Sequence, residues 1–257
     1  MPVLLPAETD CGMNRGIYST ALGMRSLQRG LDVTTNNLAN SSTNGFKRDG
    51  LIFQDVLRQR MYADSGTGPS VGEIGAGADT VDEYTVFEMG DIKTTGNTFD
   101  MAISTTDGLF AVETPSGTRY TRDGAFGLDS NRRLVNKDGY PVLDKDGNEI
   151  SIPVGDVAIE NGGIIRMKDQ TVATVGVWKP DAGIRLSKVG ESLFEASGQM
   201  SAMDESPIVA SSLEGSNVNA VESMLEMIRI GRLFELSQKN IQSQDDLLQK
   251  LISSLNE

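Results

Sequence analysis

The feature that most limits how this chain can fold is an apolar residue at every seventh position near each end, with turn-rich sequence between. Near the start, Ile17, Met24, Leu31 and Leu38 keep that interval, with Ala21 and Leu27 at helical offsets. Near the end, Met227, Phe234, Ile241, Leu248 and Leu255 do the same. A repeat close to 3.5 residues gathers such side chains on one side of an α-helix, and that side needs a partner surface to leave water. The spacing predicts a helix from Asn14 to about Asn40, on the order of 40 Å long, and a second from Asn219 to Leu255, on the order of 55 Å. Asn36, Asn37 and Asn40 with the Asn44-Gly45 pair stop the first, because Asn-Gly suits a turn with positive φ. Asn219 is a good N-cap for the second, and Glu222 stands in the reciprocal capping position. Gly231 lies inside that helix at a cost of about 1 kcal/mol relative to Ala, and marks a bend or a close helix contact.

Between the helices, short runs such as Phe99-Ile103, Leu109-Glu113, Arg119-Arg122, Ala125-Leu128, Arg133-Val135 and Pro141-Leu143 alternate with turn pairs. Those pairs are Asp-Gly or Ser-Gly at 107-108, 116-117, 123-124, 138-139 and 146-147, the signature of antiparallel hairpins. The β character continues through Val157-Ile159, Ile164-Met167, Val172-Trp178 and Ile184-Leu186, and 197-212 reads as an extended return segment. Leu51 to about Met61 places Phe53, Val56, Leu57 and Met61 at helical or mixed spacing and is open to either state, while 64-78 has the composition of a linker. The expected fold is mixed α and β: long N- and C-terminal helices pairing as a coiled-coil-like domain, with a central antiparallel, mostly-β body. The expected divisions are a disordered extension at 1-12, an N-terminal helical assembly segment at 13-62, a flexible linker at 63-80, the β-rich body at 81-212 and a C-terminal helical assembly segment at 213-257.

The net charge of -13 argues against a nucleic-acid partner, which needs clustered Lys and Arg. No run of apolar residues approaches the length of a transmembrane helix. Cys11 is the only cysteine and there is no histidine, which removes intramolecular disulfides, cysteine zinc sites and imidazole catalysis. Residues 1-12 lack the cationic start and long apolar stretch of a secretory signal, and Met13 is an alternative start. An extracytoplasmic destination would then need export that reads something other than a cleaved signal.

Several motifs have plainer readings. Gly66, Gly68, Gly72, Gly75 and Gly77 lack the Lys-Ser or Lys-Thr of a phosphate loop. Asp144, Asp146, Asn148 and Glu149 miss the register of a calcium loop and read as a hairpin turn. Carboxylate pairs such as Asp82-Glu83 and Asp245-Asp246 read as solvated surface, since one Trp and five Tyr offer little for stacking sugars. Asn40-Ser41-Ser42 matches a glycosylation acceptor, which matters only in a secreted eukaryotic protein. No catalytic residue, cofactor, metal site or small-molecule substrate is expected.

Longer stretches carry a resemblance. Met13-Asn14-Arg15-Gly16-Ile17-Tyr18, Ala21-Leu22-Gly23-Met24 and the run from Asn36 through Asn44-Gly45-Phe46-Lys47-Arg48 resemble the amino-terminal signature of bacterial flagellar basal-body rod and hook proteins. Thr95-Gly96-Asn97, Phe99-Asp100-Met101-Ala102-Ile103, Gly108, Phe110, Val112, Tyr120-Thr121-Arg122-Asp123-Gly124 and Phe126 are similar to the β body of the same proteins. Ser216-Asn217-Val218-Asn219, Glu222, Met227-Ile228, Arg232, Phe234-Glu235, Lys239 and Ile241-Gln242 resemble their carboxyl-terminal helix. Within the family, Asn14-Arg15-Gly16-Ile17-Tyr18 and Arg119-Tyr120-Thr121-Arg122 look more like a proximal-rod subunit, while the length and the segment 64-78 also suit a distal-rod one.

The resemblance implies a structural axial subunit in a periplasm-spanning rod. Its partners would be further copies of itself, other rod and hook subunits and the flagellar type III export apparatus, with no cleaved signal peptide. The assembly interface would then be Ile17, Ala21, Met24, Leu31 and Leu38 with Met227, Phe234, Ile241, Leu248 and Leu255. Competing readings are an adhesin or carbohydrate-binding β domain on a helical stalk, which calls for an export signal and clustered aromatics, and a carboxylate-based hydrolase.

Overall fold

The structure, a computed structural model, describes residues 13-55, 58-62, 70-75, 78-168, 170-190 and 192-255. The extension at 1-12 lies outside the described residues. Both terminal helices form. Helix α1 spans Met13–Ala39 and helix α2 spans Ala220–Leu255. Asn219 directly precedes α2, and Glu222 places a carboxylate in its first turn, where the helix dipole favours negative charge. Helix α1 ends in a tightened turn, with Asn40 N–H and Ser41 N–H donating to the carbonyls of Asn37 and Leu38 at 3.2 Å. The chain then turns through Gly45 at φ 65°, as the Asn-Gly pair predicts.

The chain divides into two compact units. The first takes in α1 up to Asn36, the strands within Asp49–Tyr84, and the chain from Val221 onward. Its strands are β1 (Asp49–Asp55), β2 (Arg58–Tyr62), β3 (Ser70–Gly75) and β4 (Ala78–Thr85), with β1 beside β4 and β2 beside β3. The described parts of the ambiguous 51-61 segment, 51-55 and 58-61, are therefore extended chain, while 56-57 lie outside the described residues. Strand β3 and the start of β4 occupy much of the expected 63-80 linker, while 63-69 and 76-77 lie outside the described residues. Composition missed these strands because interstrand hydrogen bonds use backbone groups that Gly, Ser and Thr also carry. Gly50 is where β1 meets Tyr84 of β4: a Cβ there would lie 2.6 Å from the tyrosine ring.

The second unit holds Asn37–Arg48 and Thr85–Ala220, so the loop after α1 joins the expected 81-212 body and the unit continues past 212. Its strands are β5 (Ile92–Thr94), β6 (Met101–Ile103), β7 (Leu109–Thr114), β8 (Gly117–Thr121), β9 (Gly127–Leu128), β10 (Leu134–Val135), β11 (Ala158–Glu160), β12 (Ile164–Met167), β13 (Gln170–Thr174), β14 (Val177–Pro180), β15 (Leu186–Lys188), β16 (Leu193–Ala196), β17 (Met200–Ala202), β18 (Ile208–Ala210) and β19 (Ser212–Glu214). The largest sheet is antiparallel, in the order β15-β16-β8-β7-β14-β17. Strand β7 is covered on both faces: Phe110 and Val112 enter the main core with Ile103, Leu134 and Ile165, while Leu109 packs with Phe194 and Met200.

The five turn pairs divide into two kinds. Gly117, Gly139 and Gly147 have φ of 109°, 84° and 84°, and each sits in a tight turn with open space where a Cβ would be. Gly108 and Gly124 do not have positive φ. They are close-approach glycines: a Cβ on Gly108 would lie 2.7 Å from Val177, and one on Gly124 only 1.6 Å from the carbonyl oxygen of Met101. The 144-148 segment is a turn closed by Asp144, whose Oδ1 accepts from the N–H of Asp146 and Asn148 at 2.8 Å.

Among the described residues nothing lies within 4 Å of the position a Cβ would take on Gly231, so no close contact is made there. Gly231→Ala is expected to stabilise α2 by about 1 kcal/mol. Thermal melting followed by circular dichroism checks this; an unchanged or lowered helix transition contradicts it.

Candidate functional site

The predicted seams lie on half-buried helix faces, in the first unit apart from Leu38, which falls in the second. Ile17, Met24, Leu31 and Leu38 are half-buried on α1, while Ala21 is exposed. On α2, Met227, Phe234, Ile241 and Leu248 are half-buried, and Ile230, Ser237 and Gln244 complete alternating three- and four-residue steps. The side chain of Leu255 lies outside the described ones. Helices α1 and α2 border a groove of about 650 Å³ lined on one side by Ser19, Gly23, Ser26 and Gly30 and on the other by Ile230, Leu233 and Ser237. The closest approach recorded at a glycine of α1 is at Gly30, whose Cβ position is 3.4 Å from Ile230 Cδ1. The small residues of α1, absent from the apolar count, thus mark its approach to α2.

Helix α2 also carries an apolar row that the seven-residue stripe does not contain. Val221, Leu225 and Ile228 are 67%, 64% and 55% exposed, and Leu236 and Leu247 continue the row at 57% and 58%. Leu225, Leu236 and Leu247 are eleven residues apart, close to three full turns, so they share one side of the helix. That side is roughly opposite Met227 and Phe234. A long helix with apolar side chains on two faces fits a subunit that packs against other chains.

In the second unit the structure reveals a charged cluster that the sequence reading did not identify. The side chains of Lys47, Arg122 and Glu214 are all 0% exposed. Lys47 Nζ donates to Glu214 Oε1 at 2.5 Å and to the Glu88 carbonyl at 2.6 Å. The Gly90 N–H donates to the same carboxylate oxygen at 2.9 Å. Arg122 Nε lies 3.2 Å from Glu214 Oε2, an ion pair without an aligned hydrogen bond, and its other nitrogens donate to the carbonyls of Gly108, at 2.6 Å, and Thr105. Burial pulls the Lys47 ammonium below its ordinary pKa, opposed by its hydrogen bond to Glu214 and by that carboxylate's charge, while Arg122 adds to the lowering. Burial lowers Arg122 as well, opposed by Glu214 and Asp107.

Asn217 extends the cluster. Its Oδ1 accepts from the Arg48 N–H at 2.7 Å, and its Nδ2 donates to the carbonyls of Val86 at 2.9 Å and Glu88 at 3.3 Å. The Lys188 ammonium sits 4.0 Å from the Phe46 ring centroid. Lys47, Arg122 and Glu214, sealed from water, and Asn217 at their edge together hold backbone segments in place. Lys47, Arg122 and Asn217 all fall in stretches that carry the family resemblance, which was the available signal; Glu214 does not. Among the described residues, no group of three or more acidic, His or Cys side chains is placed to hold a metal ion, and no helix is long and apolar enough to cross a membrane.

Comparison with known proteins agrees with this architecture segment by segment. Residues 17-47 match the family described as Flagella basal body rod protein, residues 102-173 the Flagellar hook protein FlgE/F/G D1 domain, and residues 209-254 the Flagellar basal body rod FlgEFG protein C-terminal. The chain is 33% identical over 262 residues to the flagellar basal-body rod protein FlgG of Bacillus subtilis (strain 168), covering 94% of this chain and 99% of that protein. It is 32% identical over 248 residues to the flagellar basal-body rod protein FlgF of Mesorhizobium japonicum, covering 93% and 98%. FlgG of Borreliella burgdorferi is 31% identical over 258 residues, covering 92% and 97%. The chain belongs to the flagellar basal-body rod protein family.

Proposed function

We propose that the protein is a structural axial subunit of the bacterial flagellar basal-body rod, polymerising helically into the shaft that carries motor torque across the periplasm to the hook. The observation that carries this reading is the near full-length likeness to rod proteins FlgG and FlgF. The apolar faces along both terminal helices support it. Its partners are further copies of the chain and other rod and hook subunits, and it acts without catalysis or a cofactor. A proximal-rod position fits the Asn14-Arg15-Gly16-Ile17-Tyr18 and Arg119-Tyr120-Thr121-Arg122 stretches. Delivery is through the flagellar export apparatus with no cleaved signal peptide.

The assembly surface follows from the helix faces. Ile17, Ala21, Met24, Leu31 and Leu38 meet Met227, Phe234, Ile241, Leu248 and Leu255 in a coiled-coil-like pairing within and between subunits. The row from Val221 to Leu247 turns toward neighbours. Head-to-tail contacts that do not close into a ring generate a helical filament. Dispersed apolar contacts also suit a shaft that must resist torsion, because no single bond bears the load.

Leu31→Asp, Phe234→Asp and Ile228→Asp are each expected to leave the β body folded and to abolish incorporation into rods. The readout is electron cryomicroscopy of basal bodies from a strain carrying each variant as its only copy. Normal rods built from these variants overturn the interface.

A further inference from the structure

The chain passes between its two compact units at Asn36/Asn37, Arg48/Asp49, Tyr84/Thr85 and Ala220/Val221. On the second unit's side, the segments next to these crossings are bound to one another. Gly45 N–H donates to the Glu214 carbonyl at 2.8 Å, Asn217 N–H to the Phe46 carbonyl at 3.3 Å, and Val86 N–H to the Arg48 carbonyl at 2.9 Å. The first two bonds pair increasing residue numbers with increasing residue numbers. Gly45–Arg48 and Glu214–Asn217 therefore lie side by side and run in the same direction. One leads on from α1 and the other leads into α2.

We propose that this cluster is a shear clasp: a mechanical lock in which the two segments share tension applied through α1 and α2 across all their cross-links at once. When neighbouring segments run in the same direction, pulling the first from its N-terminal side and the second from its C-terminal side slides them past each other. Sliding loads every bridge together, whereas peeling breaks them one at a time. The bridges here are the backbone bonds Gly45–Glu214 and Phe46–Asn217, the Asn217 side chain to Arg48, and the Lys47–Glu214 pair, which Arg122 reinforces, while Val86 ties to both segments through Arg48 and Asn217. At the Lys47–Glu214 pair, whose side chains are fully buried, exclusion of water removes the competing hydrogen bonds that would let it exchange under load. Gly45 lets the first segment lie against the Arg122 backbone, where a Cβ would come within 2.4 Å. Only the source of the load, torque along a shaft, rests on the rod reading. The clasp is tested on the purified chain, so its failure and that of the rod reading are separate results.

The test stretches the full-length chain in optical tweezers, with Cys11→Ser and handles on Asp32→Cys and Gln238→Cys, both exposed helix positions. The second unit should rupture in one high-force event, and Asn217→Ala should raise its unfolding rate at a given force by at least about tenfold. Ile165→Val, a core truncation remote from the clasp, should change that rate only in proportion to its equilibrium loss. With handles on Ser116→Cys and Asp146→Cys instead, Asn217→Ala should show no excess over its own equilibrium loss. If Asn217→Ala does not fold, Asn217→Asp keeps the acceptor for Arg48 and removes the donors to Val86 and Glu88, and the same comparison holds. An Asn217 variant that merely tracks its equilibrium loss in both pulling directions, as Ile165→Val does, overturns the clasp.

Discussion

Glu214→Gln is expected to destabilise the second unit by about 3–5 kcal/mol, the usual cost of removing one partner from a buried ion pair. The carboxylate lies between two buried cations, Lys47 and Arg122, pairing with both, and it also receives the Gly90 N–H. Glutamine keeps the shape but supplies a neutral amide, leaving two positive charges facing each other without water. A domain of this kind is typically stable by only about 5–15 kcal/mol, so the loss is a large fraction of the total. Trp178 is the only tryptophan and belongs to the second unit, so urea unfolding followed by its fluorescence reports on that unit. A midpoint within the error of the parent's would show that the cluster is not needed for stability.

Gly124→Ala is expected to prevent the second unit from folding. The added methyl carbon would lie 1.6 Å from the Met101 carbonyl oxygen and 2.8 Å from its carbon. These are backbone atoms of a strand whose Met101 N–H also donates to the Gly124 carbonyl at 3.0 Å. Relief therefore requires moving β6, whose three residues are all buried, out of the core. Overpacking a core side chain typically costs about 1–3 kcal/mol, and a clash between backbones that cannot rotate away exceeds this. Gly139→Ala is the matched control: its φ of 84° strains an alanine, but its surroundings are open, and about 1–2 kcal/mol is expected. Soluble expression and near-ultraviolet circular dichroism separate the two. A folded Gly124→Ala protein no less stable than Gly139→Ala defeats the argument.

The Asp-Gly pairs show how far local reading reaches. At 138-139 and 146-147 the pair makes the turn its dihedral freedom suggests, because the requirement lies within four consecutive residues. At 107-108 and 123-124 the same dipeptide meets a requirement set by residues distant in sequence, Val177 for Gly108 and Met101 for Gly124. Strands β2 and β3 were hidden for a related reason, since neither is marked by its own composition and each is defined by the other. The helix seams were legible as stripes. The seven-residue stripe contained the half-buried row of Met227 and Phe234 and left out the exposed row of Leu225 and Leu236.

The sequence by itself determined the two helices, their capped or turn-closed ends, the antiparallel character of the body and the family, because each is written in periodicity or in residues adjacent along the chain. Only the tertiary structure decided that Lys47, Arg122 and Glu214 form one sealed cluster, that Asn217 binds Arg48 and Val86, and that the loop after α1 belongs with the β body. Lys47 and Glu214 are separated by 167 residues. Such pairing follows from where the folded backbone brings charges together, and no spacing rule encodes it.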